Sequence, residues 1–382
     1  MHFLHTWLLY IGNKNKSKKR ACICTVYKCL QEADFFVDRR WFRWYTGTIK
    51  YRIGIHKERM MMKKIIALIL AALMVLSMAA CGGETANGES KDKFVVGVCQ
   101  LVPHDALDAA TKGFEDALKE EFGDKVEVIV KLGGGDSATC APIVNGFVAD
   151  EVDLIMANAT PALQAAVAAT EDIPILGTSV TEYGVGLEIE NFNGTVGGNV
   201  SGTSDLAPLD QQAAMVLEWV PDAKNVGLLY CSAEANSIYQ VETVKKDLEA
   251  KGLTCTLYPF SDTNDLPAVT QKAADESDVI YIPTDNQAAS AAETIDGICR
   301  PAKVPVIAGE ENICKACGIA TLSISYYDLG VTTGKMAAKI LKGEADISTM
   351  PIAYAENFAK KYNAEICAEL GIKIPEGYAA IG

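Results

Sequence analysis

The chain has 382 residues, 49% of them apolar, which is long for one average domain and enough for two with their own cores. Its formal charge of −14 is unevenly spread: residues 1–59 hold 13 Lys and Arg against 4 Asp and Glu, whereas residues 82–382 hold 20 against 45. So acidic a body repels nucleic acid and anionic membrane surfaces, and neither is an expected partner for it.

Residues 1–59 are basic and hold three of the four tryptophans, Trp7, Trp41 and Trp44, with no periodicity running through them. They are expected to be an upstream extension, with initiation at Met60, Met61 or Met62. Residues 60–80 then read as a signal peptide. Met62-Lys63-Lys64 is a short basic start, residues 65–78 are an apolar run of 14, and Ala79-Ala80 precede Cys81. The run is short for a bilayer span, which needs about 20 residues. The order basic, apolar, small is that of a secretory leader. With its final cysteine it resembles a bacterial lipobox, which implies a diacylglycerol on Cys81. Residues 81–93 (CGGETANGESKDK) form a polar, flexible tether.

From Phe94 the chain alternates strand and helix. Residues 94–98 predict a buried strand, and Leu107, Ala110, Phe114 and Leu118 recur at helical spacing. Strands follow over 126–130, 153–156 and 173–176, with helices around 143–147 and over 161–170. Residues 181–205, rich in Gly, Asn, Ser and Thr, read as a crossover between lobes. A second series places strands at 226–230, 254–258, 279–282 and 304–307, and helices near 211–219, 241–251, 267–274 and 288–298. The tail re-crosses, with a strand at 319–325, a helix at 329–341, and an extended piece and helix between 351 and 370. This predicts an α/β protein of two doubly wound parallel-sheet lobes joined by a multi-strand hinge. The first lobe is expected to comprise 94–203 with 326–345, and the second 206–322 with 351–370. A hinged cleft between them is a device for closing on a ligand.

Ligands of parallel sheets bind at the carboxyl ends of strands, where strand order reverses. An order 2-1-3-4 puts the loops 99–105 and 157–160 at that point. In Asn158-Ala159-Thr160-Pro161, Thr160 reads as an N-cap and Pro161 as the first helical residue, so free N–H groups can receive a carboxylate. The body has a single arginine, Arg300, which makes such a site the more useful. The competing reading is that Thr160 only caps its helix. Gly177-Thr178-Ser179 offers more hydroxyls, and Ser232–Ser237 and Thr284-Asp285-Asn286 follow strands of the second lobe. Asp285 and Asp205 are the candidate partners of an ammonium group, or else helix-cap and hinge groups. His104, the body's single histidine, can orient a ligand.

Other motifs argue against an enzyme. The segment 131–139 (KLGGGDSAT) lacks phosphate-loop spacing and reads as a turn, with Asp136 or Ser137 capping the next helix. No GxSxG elbow or HExxH pair occurs. Cys314 and Cys317 form a lone CxxC without the second pair that zinc wants, and neither metal nor cofactor is expected.

Over 94–352 the chain resembles the ABC-transporter substrate-binding lipoproteins of the tryptophan/tyrosine type, relatives of the periplasmic-binding-protein type 1 fold. The resemblance rests on GVCQLVPHDALDAATKGFEDAL (97–118), NATPALQAAVAATEDIPILGTSVTE (158–182), GGNVSGTSD (197–205), GLLYCSAEANS (227–237), IYIPTDNQAASA (280–291) and ISYYDLGVTTGKMAAKIL (324–341), in that order. It implies an amino-acid ligand, aromatic or branched, and a lipid-anchored monomer on the outer face of the membrane that serves a permease and an ATPase. The ligand contacts it implies are Gln100, Thr160, Thr178, Ser179, Ser204, Asp205, Asn236, Ser237 and Asp285. Pro103 stands where the family often has an acidic residue, and Glu182-Tyr183 where it often has Asp-Pro. Tyr183, Tyr326 and Tyr327 are candidates to pack on a side chain, or for the core and hinge. A ligand-sensing receptor subunit and a sugar- or nucleoside-binding protein are the alternative functions.

Overall fold

A computed structural model describes residues 93–355 and 357–382; the leader segment and Cys81 lie outside them. The first sheet gathers β1 (Phe94–Gln100), β2 (Val126–Leu132), β3 (Leu154–Asn158), β4 (Ile175–Val180), β5 (Val200–Ser204) and β11 (Ala353–Tyr354) in the order β2-β1-β3-β4-β5-β11, every pair parallel. The second gathers β6 (Asn225–Cys231), β7 (Thr254–Phe260), β8 (Val279–Ile282), β9 (Val306–Ala308), β10 (Ala320–Ser323), β12 (Ala359–Tyr362) and β13 (Ala379–Ala380). Its order is β7-β6-β8-β9-β10-β12-β13, with β12 antiparallel to β10. Both sheets start 2-1-3-4, the order the sequence reading used for the first lobe. This is a two-lobed α/β protein with the reversal beside the first strand of each lobe.

Strands such as β1 and β8 are apolar on both faces because helices cover both. Along β1, Val96 and Val98 enter one core cluster while Cys99 enters the other. In β8, Val279 and Tyr281 face one core and Ile280 and Ile282 the other. Period-2 alternation between two buried faces produces unbroken hydrophobic runs.

The structure differs from the sequence reading at the crossings. Residues 200–204 are not a loose crossover but the buried strand β5, between β4 and β11. Its composition hides it, because Gly202 sits at φ +148°. A Cβ there would overlap the Gly177 carbonyl of β4 and the Tyr183 hydroxyl. Residues 353–354, expected in the second lobe, pair with Thr203 and Ser204 in the first, since the chain crosses back along that edge before reaching β12.

Two helices fix the first lobe's outer layer, α1 (Asp105–Phe122) and α11 (Tyr326–Leu341). They approach closely through glycine: a Cβ on Gly330 would overlap the Ala110 carbonyl, and one on Gly113 the Tyr327 carbonyl. Among the described residues, no helix is long and apolar enough to cross a membrane.

Candidate functional site

The carboxyl ends of the two sheets face one another, and a small, tightly closed cavity lies between them. Its wall is drawn from the loops that follow strands. His104 follows β1, Ser179 ends β4, and Asp205 follows β5. From the second lobe come Asn236, Asp285 and Glu310. Tyr326 opens α11, and Ala106 and Leu107, in the first turn of α1, complete the first lobe's side.

The lobes are drawn together across this cavity. His104 Nε2 lies 3.3 Å from Asn286 Oδ1, and Gln287 Nε2 donates to the Gly135 carbonyl at 2.8 Å. Asn286 Nδ2 donates to Glu234 at 2.6 Å, which turns its Oδ1 toward the histidine. Burial lowers the His104 pKa, so the ring is neutral. It then donates from Nε2 and leaves Nδ1 as an acceptor.

Four unpaired buried atoms belong to residues on this wall: His104 Nδ1, Ser179 Oγ, Asp205 Oδ1 and Asn236 Oδ1. Three of them only accept hydrogen bonds. A buried polar atom without a partner costs about 1–3 kcal/mol, so the wall presents open acceptors to the cavity.

The acids make the same point. Asp205, Glu234, Asp285 and Glu310 are each 1–3% exposed. Burial raises all four pKa values, Glu310 to about 7 and Glu234 to about 8, the latter helped by the charge of Asp285. Among the described residues, no Lys or Arg lines the cavity.

Asp285, Glu234 and Glu310 are engaged through both oxygens, and Asp205 through one. Asp285 spends both oxygens on backbone, accepting from Ala288 N at 2.8 Å and Cys231 N at 2.6 Å. It caps the short helix α8 (Asn286–Ser290). Glu234 accepts from both Asn236 Nδ2 and Gln287 N and so organises the loop pair. Glu310 caps α10 (Glu311–Cys317) through Asn312 N and Ile313 N. Asp205 accepts one bond from the Tyr326 hydroxyl at 3.0 Å and keeps its other oxygen open.

The residues singled out in the sequence divide into two groups. His104, Ser179, Asp205, Asn236 and Asp285 reach the cavity wall, and Gln100, Thr160, Thr178, Ser204 and Ser237 stand behind it. Gln100 ties Val102 O and Asp108 to Thr111. Thr178 joins Thr203 and Thr333, and Ser204 donates to Thr181 O. Ser237 accepts from Asn236. Thr160 is not the N-cap: α3 (Thr160–Ala169) begins with it, and Ala159 at φ +94° precedes it with no side-chain cap bond. The Ala159 N–H is drawn to the Thr178 carbonyl, which shifts the helix start by one residue. Tyr183 is a core residue whose hydroxyl donates to Thr203 O. Asp136 caps α2 (Ser137–Ala149) with a reciprocal Thr139 bond, as a turn reading requires. Cys314 and Cys317 are buried in the second lobe's core.

Glu234 and Glu310 were not singled out. Glu310 was findable by lobe symmetry: it follows the second lobe's fourth strand, as Ser179 lies at the end of the first lobe's fourth.

Comparison with known proteins gives the family. A family model described as ABC transporter substrate binding protein matches residues 95–380. A tyrosine-binding protein of Clostridioides difficile is 33% identical over 305 residues, covering 76% of this chain and 87% of that protein. A Streptococcus pneumonia ABC domain in complex with L-Trp superposes with TM-score 0.72 at 33% identity, covering 76% of this chain and all of that one. A ligand-free, open substrate binding protein from Clostridium difficile, at 34% identity and covering 75% and 99%, reaches only 0.58. At nearly equal identity the open form fits worse, in keeping with the bonds drawn across this cavity. The chain belongs to the ABC transporter substrate binding protein family.

Proposed function

We propose that this chain is a lipid-anchored extracytoplasmic binding protein that captures an amino acid with an aromatic side chain and delivers it to an ABC permease and its ATPase. The carrying observation is the cavity's chemistry: acceptors left open, three buried acids and, among the described residues, no cation on the wall. An α-ammonium supplies three donors and a positive charge to such a wall. Asp205 is its first partner, with His104 Nδ1 and Asn236 Oδ1 within the same wall. The ligand carboxylate lies at the N-terminus of α1, where His104 offers no side-chain cap and Ala106 and Leu107 line the cavity. The Ser179 hydroxyl adds a donor there; Ser179 is held at φ +53°, a strained conformation found at ligand-gripping positions. Gln100, Thr178, Ser204 and Ser237 hold this wall from behind. The relatives that bind tyrosine and L-Trp support an aromatic side chain, which Tyr326 and Leu107 can flank.

The lipid anchor rests on the leader and Cys81. Mass spectrometry of the native N-terminus is expected to find a diacylglyceryl cysteine at that position. For the ligand, a thermal-shift screen of the purified protein against amino acids, sugars and nucleosides is decisive. L-Tyrosine or L-tryptophan at about 100 times its Kd should stabilise by about 2.7 kcal/mol. A shift with sugars or nucleosides and none with amino acids would sink the proposal.

A further inference from the structure

We propose that Glu234 is a positioning residue of the ligand site: by accepting from the side-chain amides of Asn236 and Asn286 it turns both Oδ1 atoms outward, one as an open acceptor on the cavity wall and one across the cleft to His104. This deepens the proposed function and rests on it.

Glu234 lies between β6 and the helix α6 (Ala235–Ala250) and is 1% exposed. It stands at the N-terminus of α6 but makes no side-chain cap bond there. Its carboxyl reaches instead to the loop after β8. Oε2 accepts from Asn286 Nδ2 at 2.6 Å, Asn236 Nδ2 at 2.9 Å and Asn286 N at 3.3 Å, and Oε1 accepts from Gln287 N at 3.1 Å. Glu310 spends its oxygens on backbone N–H groups, whereas Glu234 binds two amides whose other ends belong to the ligand site.

The direction of each amide follows from its chemistry. An asparagine side chain has one end that donates and one that accepts. An Oε2 that already accepts three N–H groups has no hydrogen to give, so both asparagines present Nδ2 to it and turn Oδ1 away. For Asn236 this leaves Oδ1 buried without a partner on the cavity wall. For Asn286 it places Oδ1 3.3 Å from His104 Nε2 in the other lobe. An acceptor there holds the proton of the neutral ring on Nε2, and Nδ1 becomes the second open acceptor. One carboxyl thus sets the polarity of two wall atoms that belong to different lobes.

Gln287 ties the same carboxyl to closure. With its N–H on Glu234, its Nε2 donates to the Gly135 carbonyl of the first lobe at 2.8 Å. Gly135 lies at φ +103°, and a Cβ there would overlap Gln287 Nε2, so the contact needs glycine. Both cross-cleft bonds therefore start from residues that Glu234 holds. Such support from behind is what keeps the groups of a binding site in one productive geometry.

The test pairs titration calorimetry with NMR spectra that report which ring nitrogen of His104 carries the proton, on the full chain saturated with L-tyrosine or L-tryptophan. The parent complex should carry that proton on Nε2 alone. Glu234→Ala should weaken binding of both amino acids by about tenfold or more, and at saturating ligand should show His104 in both tautomers. Glu234→Gln keeps one carbonyl oxygen for the two amides and should recover most of the affinity and the Nε2 form. Should the alanine variant fail to fold, the parent and the glutamine variant still decide. A proton on Nε2 in both supports the inference, and a proton on Nδ1 in the parent overturns it. Unchanged affinity in Glu234→Ala, or weaker binding with the tautomer unchanged, also overturns it and leaves the proposed function standing. Failure of every amino acid to bind overturns both.

Discussion

Asp205 and Asp285 illustrate how little a residue's type says about its duty. Both are buried aspartates at strand ends, and both were candidates for the ammonium from sequence alone. Asp285 has its two oxygens filled by Cys231 and Ala288 N–H groups, which is capping work. Asp205 has one oxygen open. Asp205→Asn should therefore weaken amino-acid binding by roughly 30-fold or more, the cost of about 2–5 kcal/mol for losing one member of a buried charge pair. The melting temperature without ligand should change little, because the amide keeps an acceptor for Tyr326. Calorimetry and a thermal melt of the same preparation check both halves. Asp285→Asn should behave in the opposite way, losing stability before affinity. The sequence could place these aspartates at the cleft edge but not separate them, since which N–H groups a carboxylate meets depends on loops from two other strands. Glu234 and Glu310 escaped for the same reason: burial of an acid is a tertiary fact.

At the scale of elements most of the fold was legible, because alternating runs of strand and helix leave few arrangements. What escaped was short, polar and glycine-bearing. β5 reads as a linker since Ser201, Thr203 and Ser204 are polar, yet each is 1% exposed or less. Their hydroxyls find partners in Met350 O, Thr178 and Thr181 O, which is what lets polar side chains line a buried strand. The pairing of α1 with α11 was likewise hidden, although Gly113, Gly330 and Gly334 are its signature in hindsight. Gly330→Ala should force those helices apart and destabilise by about 1–3 kcal/mol, the usual cost of overpacking. Denaturant melts should register the loss. A substitution at Gly343, where a Cβ meets nothing but φ is +70°, tests backbone strain without the clash and separates the two causes.

For the whole molecule the buried acids set a pH dependence that runs against the common pattern. Glu310 and Glu234 have folded pKa values of about 7 and about 8, above their ordinary value of 4.5. Between those limits the folded chain holds protons that the unfolded chain has released, so stability must fall as pH rises. The contribution is fully present below about pH 4.5 and is lost as pH climbs through 7 and 8. For Glu310 alone this is on the order of 3 kcal/mol. The empty protein should melt at a lower temperature at pH 8 than at pH 5.5, and Glu310→Gln and Glu234→Gln should each flatten that slope. Saturating ligand should flatten it as well, because an ammonium in the cavity replaces the proton as the acids' partner. A melting temperature of the empty protein that rises from pH 5.5 to 8 would mean that these acids are ionised in the folded state. The cleft would then need a resident cation in place of a transported one. Binding is thus coupled to stability through one set of carboxyls, and the closed cleft without ligand is most stable where its affinity for ligand is lowest. A carrier that must release its cargo at a membrane partner gains from such a balance, since the empty closed form needs no cation to persist.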